Sequence, residues 1–125
     1  VEFNKNHPIY LQIADLICEK ILLDDWKKGE RIPSVRELAV SIQVNPNTVM
    51  RTYALLQEEG IINNQRGIGF FVADDGSQAA KAFVSRQVIE ADMSNLFRKM
   101  KMTGITFEEL KKYFDEYAQK HWGGE

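Results

Sequence analysis

The sequence predicts a mainly α-helical protein with one small β-hairpin: an N-terminal winged helix-turn-helix over residues 1–74, then a two-helix C-terminal segment over residues 75–125. Three observations carry this. A short capped helix beginning after Ser34 is followed within a few residues by a second, opened by Asn45-Pro46 and closed by Gly60, the pattern of a helix-turn-helix. Directly after it, Ile61-Ile62-Asn63-Asn64 and Phe70-Phe71-Val72 flank Arg66-Gly67-Ile68-Gly69, two strand-like runs around glycines that can supply a turn's positive φ. Beyond Asp74-Asp75-Gly76, which breaks both helix and strand, the apolar period is helical.

Asn6-His7-Pro8 opens the first helix, with Pro8 early, where its missing N–H costs nothing. Tyr10, Ile13, Ile17 and Ile21 keep helical spacing and Leu16 widens the stripe, so this helix should run to about Asp24 beneath the helix-turn-helix. Trp26 reads as an aromatic cover over the next connection rather than a platform for bases. Ser34-Val35-Arg36-Glu37 is a capping box, preceded by Pro33, in which the Ser34 hydroxyl accepts from the Glu37 N–H and the Glu37 carboxylate accepts from the Ser34 N–H. Leu38, Ala39 and Ile42 then make a short apolar stripe, and Val44 begins a tight connection. In the following helix Asn45 is the N-cap, Pro46 the first residue and Gly60 the left-handed stop, which leaves about four turns. Val49, Thr52, Tyr53 and Leu56 fall at i, i+3, i+4 and i+7 and pack inward, so Asn47, Thr48 and Arg51 stand together on another face.

In the C-terminal segment Ser77 is placed to cap a long helix through about Met102, roughly 26 residues or ~39 Å. Its apolar positions, from Ala79 and Ala80 through Val88 to Met100, exceed what one face of an isolated helix can hide. Gly104 ends it, Thr106 with Glu109 makes a second capping box, and the last helix presents Phe107, Leu110, Phe114 and Tyr117 on one side. Two such helices enclose no core, so their stripe is expected to meet the same stripe on a second copy. Phe83, Val84, Ile89, Met93, Leu96, Phe97, Leu110 and Phe114 are the expected homodimer contacts. The competing arrangement is a monomer whose tail folds back on its own winged helix.

A composition of 44% hydrophobic and 27% charged residues is that of a globular chain. No apolar run approaches the ~18 residues that span a bilayer, and Val1-Glu2-Phe3-Asn4 has no leader-like pattern; the expectation is a cytoplasmic protein with no membrane partner. One cysteine, Cys18, permits no internal disulfide, and His7 and His121 lack ligand spacing, so no metal or other cofactor is expected. The net charge of −2 weighs mildly against nucleic acid, and residues 1–73 and 74–125 each carry eight basic and nine acidic side chains. Yet Lys27, Lys28, Arg31, Arg36 and Arg51 face only Glu30 and Glu37 between residues 27 and 51, a local +3. Phosphates are neutralised by the charges that face them, so this patch can serve a double-stranded DNA partner, with weak non-specific binding and a steep salt dependence.

Asparagine and threonine can hydrogen-bond base edges, and arginine can grip a guanine or a phosphate. The helix after Asn45 therefore reads as a recognition helix for the major groove, carried by Asn47, Thr48 and Arg51. Asn45 is placed to bond a phosphate as well as to cap. Arg66, with the close backbone approach that Gly67 allows, reads as a wing contact at the minor groove or the backbone.

The run Gly29-Glu30-Arg31-Ile32-Pro33-Ser34-Val35-Arg36-Glu37-Leu38-Ala39, then Val44-Asn45-Pro46-Asn47-Thr48-Val49, Gly60 and Arg66-Gly67-Ile68-Gly69-Phe70-Phe71-Val72, resembles the winged-helix domain of the GntR family of bacterial transcription regulators. The Asn-Pro-Asn-Thr segment and the short tail are similar to its YtrA-like branch. The resemblance spans residues 1 to about 73 and implies a repressor that binds a pseudo-palindromic operator as a homodimer. It also implies that Arg36, in the first turn of its helix, stands where the family has a DNA-contacting arginine. Pro46 departs from the pattern, because many members carry arginine there, so the wider family's base preference does not transfer. The expected DNA contacts are Ser34, Arg36, Asn45, Asn47, Thr48, Arg51, Arg66 and Gly67.

Most members add a larger effector-binding domain; here an unidentified small-molecule effector would have to sit at the dimer interface. Two other classes are weighed against the regulator. A winged helix serving protein–protein interaction without DNA binding would suit the negative net charge. An enzyme is rejected: no paired carboxylate has a supporting base, no nucleophile stands beside a histidine, and Gly67 and Gly69 open no helix that could cradle a phosphate.

Overall fold

The computed structural model describes residues 7–123, so Asn6 and the Val1-to-Asn4 start lie outside the described residues. In chain order the elements are α1 (Ile9–Leu22), α2 (Val35–Ile42), α3 (Pro46–Glu58), β1 (Ile62–Gln65), β2 (Gly69–Val72), α4 (Gly76–Gln87), a π-helical stretch (Val88–Met93), α5 (Ser94–Thr103) and α6 (Phe107–Trp122). They form two compact units, Val1–Arg86 and Gln87–Glu125.

The first unit is a winged helix-turn-helix built on the expected caps. α1 buries Ile13, Ala14, Ile17, Cys18 and Ile21 and ends slightly early, with Asp24 already in a left-handed conformation at φ 63. Trp26 packs half-buried against the core, as a cover over the connection should. At α2 the Glu37 N–H donates to Ser34 Oγ at 3.1 Å and the Ser34 N–H donates to Glu37 Oε1 at 2.8 Å, which satisfies two otherwise orphaned donors. α2 stops at Gln43, held at φ 58; glutamine is no usual left-handed residue, so this turn has no mark in the sequence.

α3 begins with the Asn47 N–H donating to Asn45 Oδ1 at 2.8 Å and buries Val49, Thr52, Tyr53 and Leu56. Thr52, the one buried polar side chain among the described residues, lies with its hydroxyl 2.9 Å from the Tyr10 carbonyl and 3.2 Å from that of Thr48. A threonine in an apolar stripe is thereby satisfied and ties α3 to the start of α1. Tyr53 donates its phenol to the Pro33 carbonyl at 2.6 Å and meets Phe70 edge-on at 4.9 Å. One side chain thus joins the start of α2, the middle of α3 and the hairpin, and burial pushes its phenol pKa up so that it stays a donor.

β1 and β2 pair antiparallel from Ile62↔Val72 to Gln65↔Gly69. Residues 29–32, which show no strand period in the sequence, bridge to β2 through Arg31↔Phe71, with the Ile32 N–H donating to the Phe70 carbonyl at 2.9 Å. A Cβ on Gly69 would stand 2.9 Å from Arg31 Nε, so glycine there makes room for the arginine.

The expected boundary after residue 74 and part of the expected dimer surface need correction. Ala80 and Phe83, 0% and 2% exposed, belong to the same core as Ile61 and Val72. A Cβ on Gly76 would lie 2.7 Å from the Ile61 carbonyl oxygen, which seats the start of α4 against the hairpin. Arg86 and Glu59 pair at 2.6 Å at the far end of α4. α4 therefore closes the winged helix: Phe83 is not a surface for a second copy, and Val84 is half-buried against the same core. Apolar spacing marked this stripe, but spacing does not say which surface the stripe covers. Ser77 is no cap either, because α4 starts at Gly76 and Ser77 is exposed within its first turn. The expected uninterrupted helix to Met102 contains the π-helical stretch.

In the second unit α5 ends at Gly104, φ 77, and α6 has both hydrogen bonds of the Thr106–Glu109 capping box. Neither helix, nor the π-helical stretch, buries a residue. Among the described residues no helix is long and apolar enough to cross a membrane.

Candidate nucleic-acid interface

The inward turn of Val49, Thr52, Tyr53 and Leu56 fixes the orientation of α3. Asn47, Met50 and Arg51 are left exposed on its outer side, and Thr48 half-buried at the edge. The Arg51 guanidinium lies 3.7 Å over the Tyr10 ring. Asn45 is exposed at the N-terminus of α3 with its carbonyl oxygen engaged in the cap, which leaves the amide group as a donor.

At α2, Ser34 is half-buried and holds the Glu37 N–H, while Arg36 is exposed one residue into the helix. Hydrogen bonds with the Ser34 backbone and side chain, with Arg31 adding to them, hold the Glu37 carboxyl below the usual carboxylate range. Ser34 and Arg36 share a shallow groove with Arg31, Glu37 and Val40. Arg66 and Gly67 are exposed at the wing turn, where the Ile68 N–H donates to the Gln65 carbonyl at 2.9 Å and Gly67 takes φ 79. These positions leave cations on α2, α3 and the wing of one unit.

Three further residues lie beside these positions. Arg31 adds to the local positive charge, and its side chain lies over Gly69 of β2 and lines the groove with Arg36. Met50 is 57% exposed beside Arg51, an apolar group on a polar face that the period of α3 could have marked. Tyr10, the first residue of the α1 stripe, is half-buried under the Arg51 guanidinium. Of the expected dimer contacts, Ile89, Met93, Leu96, Phe97 and Phe114 are exposed on the second unit and Leu110 is half-buried. Among the described residues no group of three His, Cys, Asp or Glu could hold a metal ion.

Residues 9–72 match the bacterial regulatory proteins of the gntR family, which is more than half of the chain. The chain belongs to the GntR family of transcription regulators. It is 33% identical to the transcriptional repressor YtrA of Bacillus subtilis over 117 residues, covering 94% of this chain and 89% of that one. It is 38% identical to the transcriptional regulator YhcF of the same organism over 111 residues, 87% of this chain and 88% of the relative. Among solved structures, a GntR-family regulator from Bacteroides thetaiotaomicron superposes with a TM-score of 0.70 at 44% identity, covering 90% of this chain and 97% of that one. Similarity to YtrA along nearly the whole of both chains agrees with the YtrA-like character of the Asn-Pro-Asn-Thr segment and the short tail.

Proposed function

We propose that this GntR-family chain is a sequence-specific DNA-binding repressor that acts as a homodimer on a pseudo-palindromic operator. The observation that carries the reading is the outer face of α3, where Asn47 and Arg51 stand exposed beside half-buried Thr48 on a helix whose opposite face is locked into the core. A helix so presented can enter a major groove with asparagine and arginine at base edges. Arg36 and Arg31 flank it with charge for phosphates, and Arg66 with Gly67 reaches the minor groove. The dimer reading rests on the second unit, where Ile89, Met93, Leu96, Phe97 and Phe114 are all at least 40% exposed. A two-fold pairing would cover that surface and set two copies of α3 on two half-sites. On this reading the protein is cytoplasmic and not an enzyme, and a small-molecule effector would bind between the two protomers.

The test is selection of binding sites by the purified protein, followed by titration of the selected site over a range of salt. Arg51→Ala should cost about 1–3 kcal/mol of operator binding and relax specificity at one position. Affinity that is absent even at low salt, with Arg36→Ala, Thr48→Ala and Arg51→Ala all without consequence, would mark a protein-interaction module instead.

A further inference from the structure

We propose that Tyr10 is a positioning residue for base recognition, although it lies on α1, outside the helix-turn-helix. Its ring carries the Arg51 guanidinium at 3.7 Å from the ring centre, a separation at which a cation is attracted to an aromatic face. The inference rests on the reading of Arg51 as a base contact.

The geometry suits that task. A guanidinium keeps its N–H donors in its own plane, so stacking one face on a ring leaves the donor edge free for a bidentate contact with guanine O6 and N7. Arginine is otherwise rich in rotamers, and holding it before DNA arrives reduces the entropy lost on binding. The backbone of Tyr10 acts separately, because its carbonyl accepts from the Thr52 hydroxyl at 2.9 Å. That bond does not involve the phenol ring, so replacing the side chain leaves the tie between α1 and α3 in place.

The test is a double-mutant cycle on the selected operator, read as affinity and as base preference. Tyr10→Leu should weaken operator binding about two- to fivefold, the range of an exposed cation–ring contact, and relax preference at the base pair that Arg51→Ala also relaxes. Tyr10→Phe, which keeps the ring, should retain both. In the Arg51→Ala background, Tyr10→Leu should add nothing. An equal loss with and without Arg51 would overturn the positioning role while leaving base reading by Arg51 intact. An Arg51→Ala variant with unchanged binding would bring down the base contact itself, and this role with it. NMR of the unmodified, DNA-free protein tests the stack without any substitution: the Arg51 side-chain protons should be shifted upfield by the ring, and their absence from that region would overturn the proposal even if Tyr10→Leu failed to fold.

Discussion

Two buried side chains of the first unit show how far a single residue can be read. Thr52 is placed inward by helical spacing, and the Thr48 carbonyl one turn back is a neighbour that spacing implies, but nothing near it in sequence names the closer one, the Tyr10 carbonyl 42 residues away. Thr52→Val keeps the shape and removes the donor, so it should cost about 0.5–1.5 kcal/mol, the net worth of one hydrogen bond, because the Tyr10 carbonyl keeps its place in the α1 ladder. Urea denaturation measures this, and an unchanged midpoint would show the hydroxyl to be dispensable. Cys18 is fully buried, and desolvation, with Asp15 adding to it, pushes its thiol up to about 12. At neutral pH the group is protonated and shielded, so the native protein should not react with an aromatic disulfide reagent and should take up one equivalent on unfolding. The sequence shows that Cys18 has no disulfide partner; that the thiol is buried is decided by the packing of α1.

At the scale of elements, caps were the most legible features, because a cap is decided by residues two or three positions apart. Asn45, Ser34–Glu37 and Thr106–Glu109 all make the bonds their spacing implies. The start of α4 departs from the expected Ser77 cap for the opposite reason. Ser77 had the right chemistry for a cap, but the helix start is set by Gly76 lying against the Ile61 carbonyl, a contact across the hairpin. Gly76→Ala should therefore destabilise the first unit by about 1–3 kcal/mol, the usual cost of forcing an extra carbon into a packed site. Calorimetry reads it, and an unchanged melting temperature would mean that α4 can shift without loss. The bridge of Arg31 to β2 has no mark in the sequence either, since one isolated pair carries no period.

For the whole molecule, the division after Arg86 sets where a truncation is informative. A chain ending at Gln87 keeps Ala80 and Phe83 in the core and should fold as a monomer. One ending at Gly76 loses them, and with Phe83 about 3–5 kcal/mol, enough to unfold much of a marginal unit. Thermal melts and sedimentation of the two fragments beside the full chain check this. The full chain should sediment as a dimer, and a Gln87-terminated fragment that still dimerised would move the interface out of the second unit. The helix-turn-helix, the wing and the caps at Ser34, Asn45 and Thr106 were determined by the sequence alone, because each depends on residues close together along the chain. Tertiary structure decided that α4 completes the winged helix, that Phe83 is core and that Arg51 rests on Tyr10. Those outcomes depend on which distant surface meets each stripe, and hydrophobic periodicity marks a face without naming the face it will bury against.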